Sequence, residues 1–100
     1  MSRVLLVNPP SAVGVYDSSK IRVAITSAPF ITLATLAGEL LSEGHEVEIA
    51  DLMVEPEPME AYRLRLESLR PEYVGITYTT PLYHEARQLA GMAREVLPGV

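Results

Sequence analysis

The sequence predicts a single α/β domain built on a parallel sheet. Short apolar segments alternate with helical patterns along the chain, as in strand–helix–strand units with right-handed crossovers. The hydrophobic fraction of 48% is that of a globular protein rather than a disordered one. A chain of 100 residues is long enough for one small domain with one core.

The first strand is Val4–Val7, an apolar run typical of a strand buried on both faces. It ends in Asn8-Pro9-Pro10 instead of the glycine-rich turn that holds a dinucleotide pyrophosphate. The next segment, Ser11–Ala28, is mixed in polarity. Within it, the alternation in Ile21–Ile25 predicts a short extra strand or an ordered loop.

The first helix is expected to follow, with Ser27 as its N-cap, Pro29 in its first turn and Gly44 at its end. The apolar residues of this helix repeat at helical spacing: Leu33, Leu36, Ala37, Leu40 and Leu41. The second strand, Glu46–Ala50, is closed by Asp51. Its alternation of charged and aliphatic residues predicts a strand at an edge of the sheet.

A stiff linker, Val54–Pro58, leads to a second helix predicted over Met59–Leu69. Its apolar side consists of Met59, Tyr62, Leu66 and Leu69. The third strand is predicted over Tyr73–Tyr78, and the third helix from Pro81 with Thr80 as its N-cap. The buried residues expected in this helix are Leu82, Ala86, Leu89, Ala90, Ala93 and either Val96 or Leu97.

The residues after the third helix, Pro98-Gly99-Val100, resemble the approach to a fourth strand. Doubly wound domains usually carry about five or six strands. We therefore expect the chain to be part of a longer polypeptide, interrupted before strands four and five. A complete three-stranded domain is the alternative.

Composition excludes several classes of function. The formal net charge is −5 and the basic residues are scattered, which argues against a nucleic-acid surface. The chain has no cysteine, which excludes disulfides, thiolate catalysis and an iron–sulfur cluster held by this chain alone. No apolar run approaches the roughly 20 residues of a membrane span, and no signal peptide is evident, so a cytoplasmic location is expected.

A ligand site is predicted where the strand order reverses, at the carboxyl ends of the strands. In the flavodoxin-like order 2-1-3, this point lies between strands one and three. The alternative order, 3-2-1, would place the two glutamates of strand two at the centre of the sheet. Two loops then converge: Asn8-Pro9-Pro10-Ser11 and Thr77-Tyr78-Thr79-Thr80. The threonine hydroxyls suit phosphate, ribose or amide groups, whereas Asn8 as a plain turn residue is the alternative.

Other residues near this edge have competing interpretations, and none is assigned as catalytic or as a metal ligand. Tyr78 and Tyr83 suit stacking on a flat ligand, with partly buried core tyrosines as the alternative. His84 is interpreted as a surface histidine at the same edge, and His45 as structural or solvated at the opposite edge. Asp51 stands where Rossmann enzymes hold a ribose, but a Gly-x-Gly-x-x-Gly motif does not follow strand one.

A resemblance to a known family is carried by three segments: VLLVNPP, APFITLATLAGELLSEGHEVEIADL and LRPEYVGITYTTPLYHEARQLAGMAREVLPGV. Together they resemble the N-terminal cobalamin-binding domain of cobalamin-dependent radical SAM enzymes. This group includes the anaerobic magnesium-protoporphyrin IX monomethyl ester oxidative cyclase and various methyltransferases. The resemblance covers the chain apart from Ser11–Ala28, and the ordered combination of NPP, GHEVEIAD and P-x-x-VGIT-x-TT carries it.

The resemblance implies a flavodoxin-like sheet with a corrinoid, cobalamin, lying over the carboxyl ends of the strands against loops one and three. Residues 1–100 would then form one partial cobalamin-binding domain. A downstream radical SAM domain would hold a [4Fe–4S] cluster and S-adenosylmethionine through a Cys-x-x-x-Cys-x-x-Cys motif, which is absent here. The chain alone is therefore expected to have no catalytic activity.

The chain departs from the broader cobalamin-binding pattern, which has Asp-x-His-x-x-Gly after strand one. Asn8 stands at the position of the Asp and Pro10 at that of the cobalt-ligating His. Near the family's Ser-x-Leu segment, Thr77 keeps a hydroxyl, whereas Thr79 does not keep the leucine. The first loop therefore supplies no imidazole to cobalt.

The leading hypothesis is thus a corrinoid-binding module of a radical SAM oxidoreductase or methyltransferase. One alternative is a non-catalytic interaction or regulatory module that uses strand three and the acidic Val54–Met59 loop. Because strand three is apolar, it also predicts self-association through an exposed edge. Another alternative is the N-terminal half of a nucleotide-sugar enzyme whose Ser and Thr loops hold phosphates.

Overall fold

The computed structural model describes residues 1–10, 28–78 and 80–100. The predicted N-cap Ser27 and the strand or loop at Ile21–Ile25 lie outside the described residues. The helices and strands are β1 (Arg3–Asn8), α1 (Ala28–Ser42), β2 (Glu46–Asp51), α2 (Pro58–Leu69), β3 (Tyr73–Ile76) and α3 (Tyr83–Val96). One-turn 3-10 helices occupy Leu52–Val54 and Thr80–Leu82.

The three strands form a parallel sheet in the order β2-β1-β3, which confirms the predicted flavodoxin-like α/β arrangement. Asn8 lies opposite Asp51 in the pairing of β1 with β2, and Val7 lies opposite Ile76 in the pairing of β1 with β3. The central position of β1 explains its uninterrupted apolar run, because both faces of a central parallel strand are covered.

Alternate residues of β1 belong to two separate core layers. On one face, Val4 and Leu6 pack with Leu33 and Ala37 of α1. On the other face, β1 contributes two residues to a larger cluster with α2 and α3: Leu5, Val7, Ala50, Leu52, Tyr62, Leu66, Leu69, Leu89, Ala93 and Leu97. The period-two alternation of a strand thus produces the three-layer α/β architecture.

The side of α1 that packs on the sheet is narrower than the apolar pattern of the helix. Leu33 and Ala37 are buried, but Leu36 is 45% exposed and Leu41 is 55% exposed. These two leucines share the helical spacing of Leu33 and Ala37 but do not join the core cluster of the described residues. The helix meets a three-stranded sheet along one line of contact, so residues on the flanks of that line stay open to solvent. Gly44 has a φ of +88° just after the helix, which confirms its predicted role at the helix end.

A buried hydrogen bond joins α2 to α3. The Tyr62 hydroxyl donates to the carbonyl oxygen of Leu89 over 2.8 Å. Tyr62, Leu66 and Leu69 are buried as predicted. Helix α2 ends at Leu69, and the next residue, Arg70, adopts a left-handed conformation with a φ of 49°.

The start of α3 differs from the prediction. Thr80 is not its N-cap: Thr80 lies in the 3-10 helix Thr80–Leu82, and the residue that precedes α3 is Leu82, whose side chain caps no amide. A Thr-Pro pair marks the start of a helical turn but does not distinguish a 3-10 turn from an α-helix. Ala90, predicted to be buried, is exposed because it borders an open groove beside β3.

Candidate ligand-binding site at the carboxyl edge of the sheet

The ends of β1 and β2 are joined by a hydrogen bond between side chains. Asn8 is 7% exposed, and its Nδ2 donates to Oδ1 of Asp51 over 3.0 Å. The same carboxylate oxygen accepts from the backbone N–H of Met53 over 3.3 Å, at the start of the 3-10 helix that follows β2. The amide N–H of Asn8 therefore holds Asp51, and the interpretation of Asn8 as a plain turn residue stays a prediction.

The carboxyl ends of β1 and β3 lie side by side, as the predicted strand order requires. The backbone N–H of Thr77 donates to the carbonyl oxygen of Val7 over 3.2 Å. Pro9 is fully buried and Pro10 is half-buried, so the loop after β1 leaves the sheet on a rigid, packed base. Asn8, Pro9, Pro10 and Thr77 are thus brought to one edge.

The other predicted site residues are distributed around that edge. Tyr78 lies two residues beyond the end of β3, and Thr80 is exposed in the 3-10 turn before α3. Ser11 and Thr79 lie outside the described residues. Contact of any of these residues with a ligand stays a prediction.

Three aromatic rings continue the edge from β3 onto the first turn of α3. The ring centroids of Tyr78 and Tyr83 are 6.2 Å apart with their planes tilted by 60°, and those of Tyr83 and His84 are 5.7 Å apart in an edge-on arrangement. Tyr78 is 49% exposed and Tyr83 is 48% exposed, so they are not core tyrosines. The sequence places these residues at one edge but gives no sign that their rings touch.

The carboxylate of Glu85, also in the first turn of α3, has one buried oxygen. Its Oε2 is shielded from solvent and has no hydrogen-bond partner among the described residues. A carboxylate at this position is favoured by the positive end of the helix dipole. Sequence reasoning missed this residue because a glutamate near a helix start usually points into solvent.

The two histidines lie at opposite edges of the sheet. The backbone N–H of Ser2 donates to Nδ1 of His45 over 3.1 Å, beside the amino ends of β1 and β2, which confirms a structural role for His45. His84 is exposed at the carboxyl edge, as predicted. The described residues contain no cluster of three or more histidines, aspartates or glutamates arranged to hold a metal ion.

The fold and the position of this edge define an α/β protein with a flavodoxin-like parallel sheet. The chain is similar to an uncharacterized methyltransferase of Pyrococcus horikoshii, with 32% identity over 94 residues. The match covers 94% of this chain and 19% of that protein, so the chain spans about a fifth of the length of this relative. Neither a family model nor a solved structure matches the chain. In the part of the chain that the structure describes, no helix is both long and apolar enough to cross a membrane.

Proposed function

We propose that the chain is a corrinoid-binding α/β module of a methyltransferase of the cobalamin-dependent radical SAM type. The observation that carries this proposal is the adjacency of the carboxyl ends of β1 and β3 at the switch point of a parallel 2-1-3 sheet. The similarity to a methyltransferase along most of the chain favours methyl transfer over the oxidative cyclase reaction.

The donor set of the described edge fits a corrinoid, which combines a broad apolar face with amide side chains at its rim. The exposed rings of Tyr78 and Tyr83 offer apolar contact. The Asn8 carbonyl oxygen and the Thr80 hydroxyl suit hydrogen bonds to rim amides. The Asn8 side chain donates one of its two N–H groups to Asp51, and its side-chain oxygen is suited to accept a hydrogen bond from a ligand.

A bound corrinoid would supply the cobalt centre that carries a methyl group. This chain's own residues would hold the cofactor and exclude water beneath it. Pro9 and Pro10 form the rigid base of the loop after β1, and neither offers a nitrogen ligand to the metal. The [4Fe–4S] cluster and S-adenosylmethionine would be held by a further domain, because this chain has no cysteine.

The test is equilibrium dialysis of the purified chain against hydroxocobalamin, with absorbance spectra of the retained fraction. Tyr78→Ala is expected to weaken binding by about five- to ten-fold, the size expected for one lost aromatic contact. Tyr73→Ala is the matched control, because Tyr73 is a 63% exposed tyrosine at the opposite end of β3. The proposal fails if the chain is folded by circular dichroism and retains no cobalamin, or if both variants bind equally.

A second candidate function, a protein-interaction module, is favoured by the open side of β3. Within the described residues β3 pairs only with β1, and Tyr73 is largely exposed on it. An unpaired strand edge is a template for association with another chain. Sedimentation that depends on protein concentration and is unchanged by cobalamin would support this candidate over the first. The nucleotide-sugar hypothesis depends on Ser11 and Thr79 and stays a prediction.

A further inference from the structure

A groove of about 290 Å³ lies between the outer side of β3 and the first turns of α3. It is lined by Ile76, Tyr78, Tyr83, Ala86, Arg87 and Ala90. The groove begins at Tyr78 and Tyr83 and continues along α3 past Ala86 to Ala90, away from the loop after β1. Among the described residues that line the groove, Arg87 provides the one polar side chain apart from the tyrosine hydroxyls.

The walls of the groove suit a flat ring. The two tyrosine rings are tilted by 60° to each other and are each about half exposed, so a planar molecule has an open ring face to contact. Ala86 and Ala90 are four residues apart and lie on one side of α3, where their small side chains leave space along the helix. The pairing of large rings with alanines makes a slot rather than a rounded pocket.

The charge of the groove comes from Arg87. Arg87 lies four residues after Tyr83 and is exposed on the same side of α3. The ion pairs of the described residues involve Arg3 and Arg65, and Arg87 forms none there. A guanidinium without an ion-pair partner beside an aromatic ring is suited to a carboxylate, sulfonate or phosphate.

We propose that this groove binds a planar aromatic anion of one or two fused rings, with the ring against Tyr78 and Tyr83 and the anionic group on Arg87. The volume of the groove lies at the low end of small-molecule sites, which begin at about 300 Å³. It is therefore too small for a corrinoid. The inference goes beyond the proposed function, and because both sites use the rings of Tyr78 and Tyr83, a corrinoid and the aromatic anion would compete for them.

The test uses 2-naphthoate and its neutral analogue 2-naphthamide, titrated into the 100-residue chain and followed by amide chemical shifts in NMR spectra. Naphthoate is expected to shift the amides of Ile76, Tyr78 and the first two turns of α3, and to bind about two- to five-fold more tightly than naphthamide. Tyr83→Ala is expected to weaken both probes by about ten-fold. Arg87→Gln is expected to remove the preference for naphthoate.

Two matched variants serve as controls. Arg94→Gln removes an exposed arginine two turns further along α3, and Tyr73→Ala removes an exposed tyrosine at the far end of β3. Both should bind the probes as the unaltered chain does. Tyr83→Leu keeps apolar bulk and separates loss of the ring from loss of folding. The inference is overturned if the shifts map elsewhere, if naphthoate and naphthamide bind equally, or if a folded Tyr83 variant binds unchanged.

Discussion

Asn8 and Asp51 end neighbouring parallel strands, and the amide of Asn8 donates to the carboxylate of Asp51 over 3.0 Å. The same carboxylate oxygen receives the N–H of Met53, so one aspartate connects β1, β2 and the 3-10 turn after β2. An acidic residue in place of Asn8 would remove the donor and set two negative charges side by side in a largely buried position.

Asn8→Asp is therefore expected to lower the free energy of unfolding by about 1–3 kcal/mol at pH 7. Urea denaturation at pH 7 measures the effect. The double variant Asn8→Asp with Asp51→Asn is the control and should recover most of the lost stability. An Asn8→Asp chain as stable as the original at pH 7 would show that the pair does not hold the strands.

Gly75 is required by the packing of β3 on β1. A Cβ built on Gly75 would lie 2.9 Å from Cδ2 of Leu6, which is 2% exposed and has little room to move. Gly75→Ala is expected to cost about 1–2 kcal/mol of unfolding free energy by overpacking, and combination with Leu6→Val should reduce that cost. Gly91→Ala, a change in α3 with open space around it, should instead stabilise by about 0.5–1 kcal/mol. Thermal denaturation of the three variants checks this, and similar effects of the two single alanine substitutions would contradict it.

The burial of the Tyr62 hydroxyl predicts that the protein loses stability at high pH. Burial raises the pKa of its hydroxyl to about 12 from the usual 10.0. The folded state therefore keeps a proton that the unfolded state releases, so stability is fully present below pH 10 and falls as the pH rises from 10 towards 12. Tyr62→Phe removes this part of the pH dependence and costs about 1 kcal/mol at pH 8, because the bond to the Leu89 carbonyl is lost. Urea denaturation from pH 8 to pH 11.5 measures both effects, and equal slopes in the two proteins would contradict the assignment.

Arg70 offers a stabilising substitution. Its left-handed backbone, with a φ of 49°, is strained for any residue with a Cβ. Arg3 Nε donates to the backbone carbonyl oxygen of Arg70, so this bond does not need the Arg70 side chain. Arg70→Gly is expected to raise the unfolding free energy by about 0.5–1 kcal/mol. Arg63→Gly, in the exposed middle of α2, should lower it by about 1 kcal/mol. A destabilised Arg70→Gly chain would show that the guanidinium contributes more than the backbone strain costs.

Much of the fold follows from local pattern, because periodicity identifies strands and helices directly. The run Val4–Val7 and the charged alternation of Glu46–Ala50 together predicted which strand is central and which is at an edge. The exposure of Leu36 and Leu41 was not predictable in this way, since helical spacing shows an apolar side but not the width of the surface that covers it.

The candidate site was predictable as a place but not as a set of contacts. The carboxyl ends of β1 and β3 were expected to meet, and the bond from Thr77 to Val7 shows that they do. The bond between Asn8 and Asp51 depends on the register of two strands that are distant in sequence, which residue types alone do not give. The contact of Tyr78 with Tyr83 depends on the short 3-10 turn between them, and there the sequence suggested an α-helix cap.

The central strand of the sheet, β1, precedes both of its neighbouring strands in the sequence. β1 is made early, yet its two flanks are covered by β2, which ends at Asp51, and by β3, which ends at Ile76. During synthesis, the nascent chain therefore exposes the hydrogen-bonding groups of its most apolar segment until residue 76 has left the ribosome. Chaperones that bind short apolar segments have that interval in which to act on Val4–Val7, and the rate of sheet formation is set by closure of the long connection from β1 to β3.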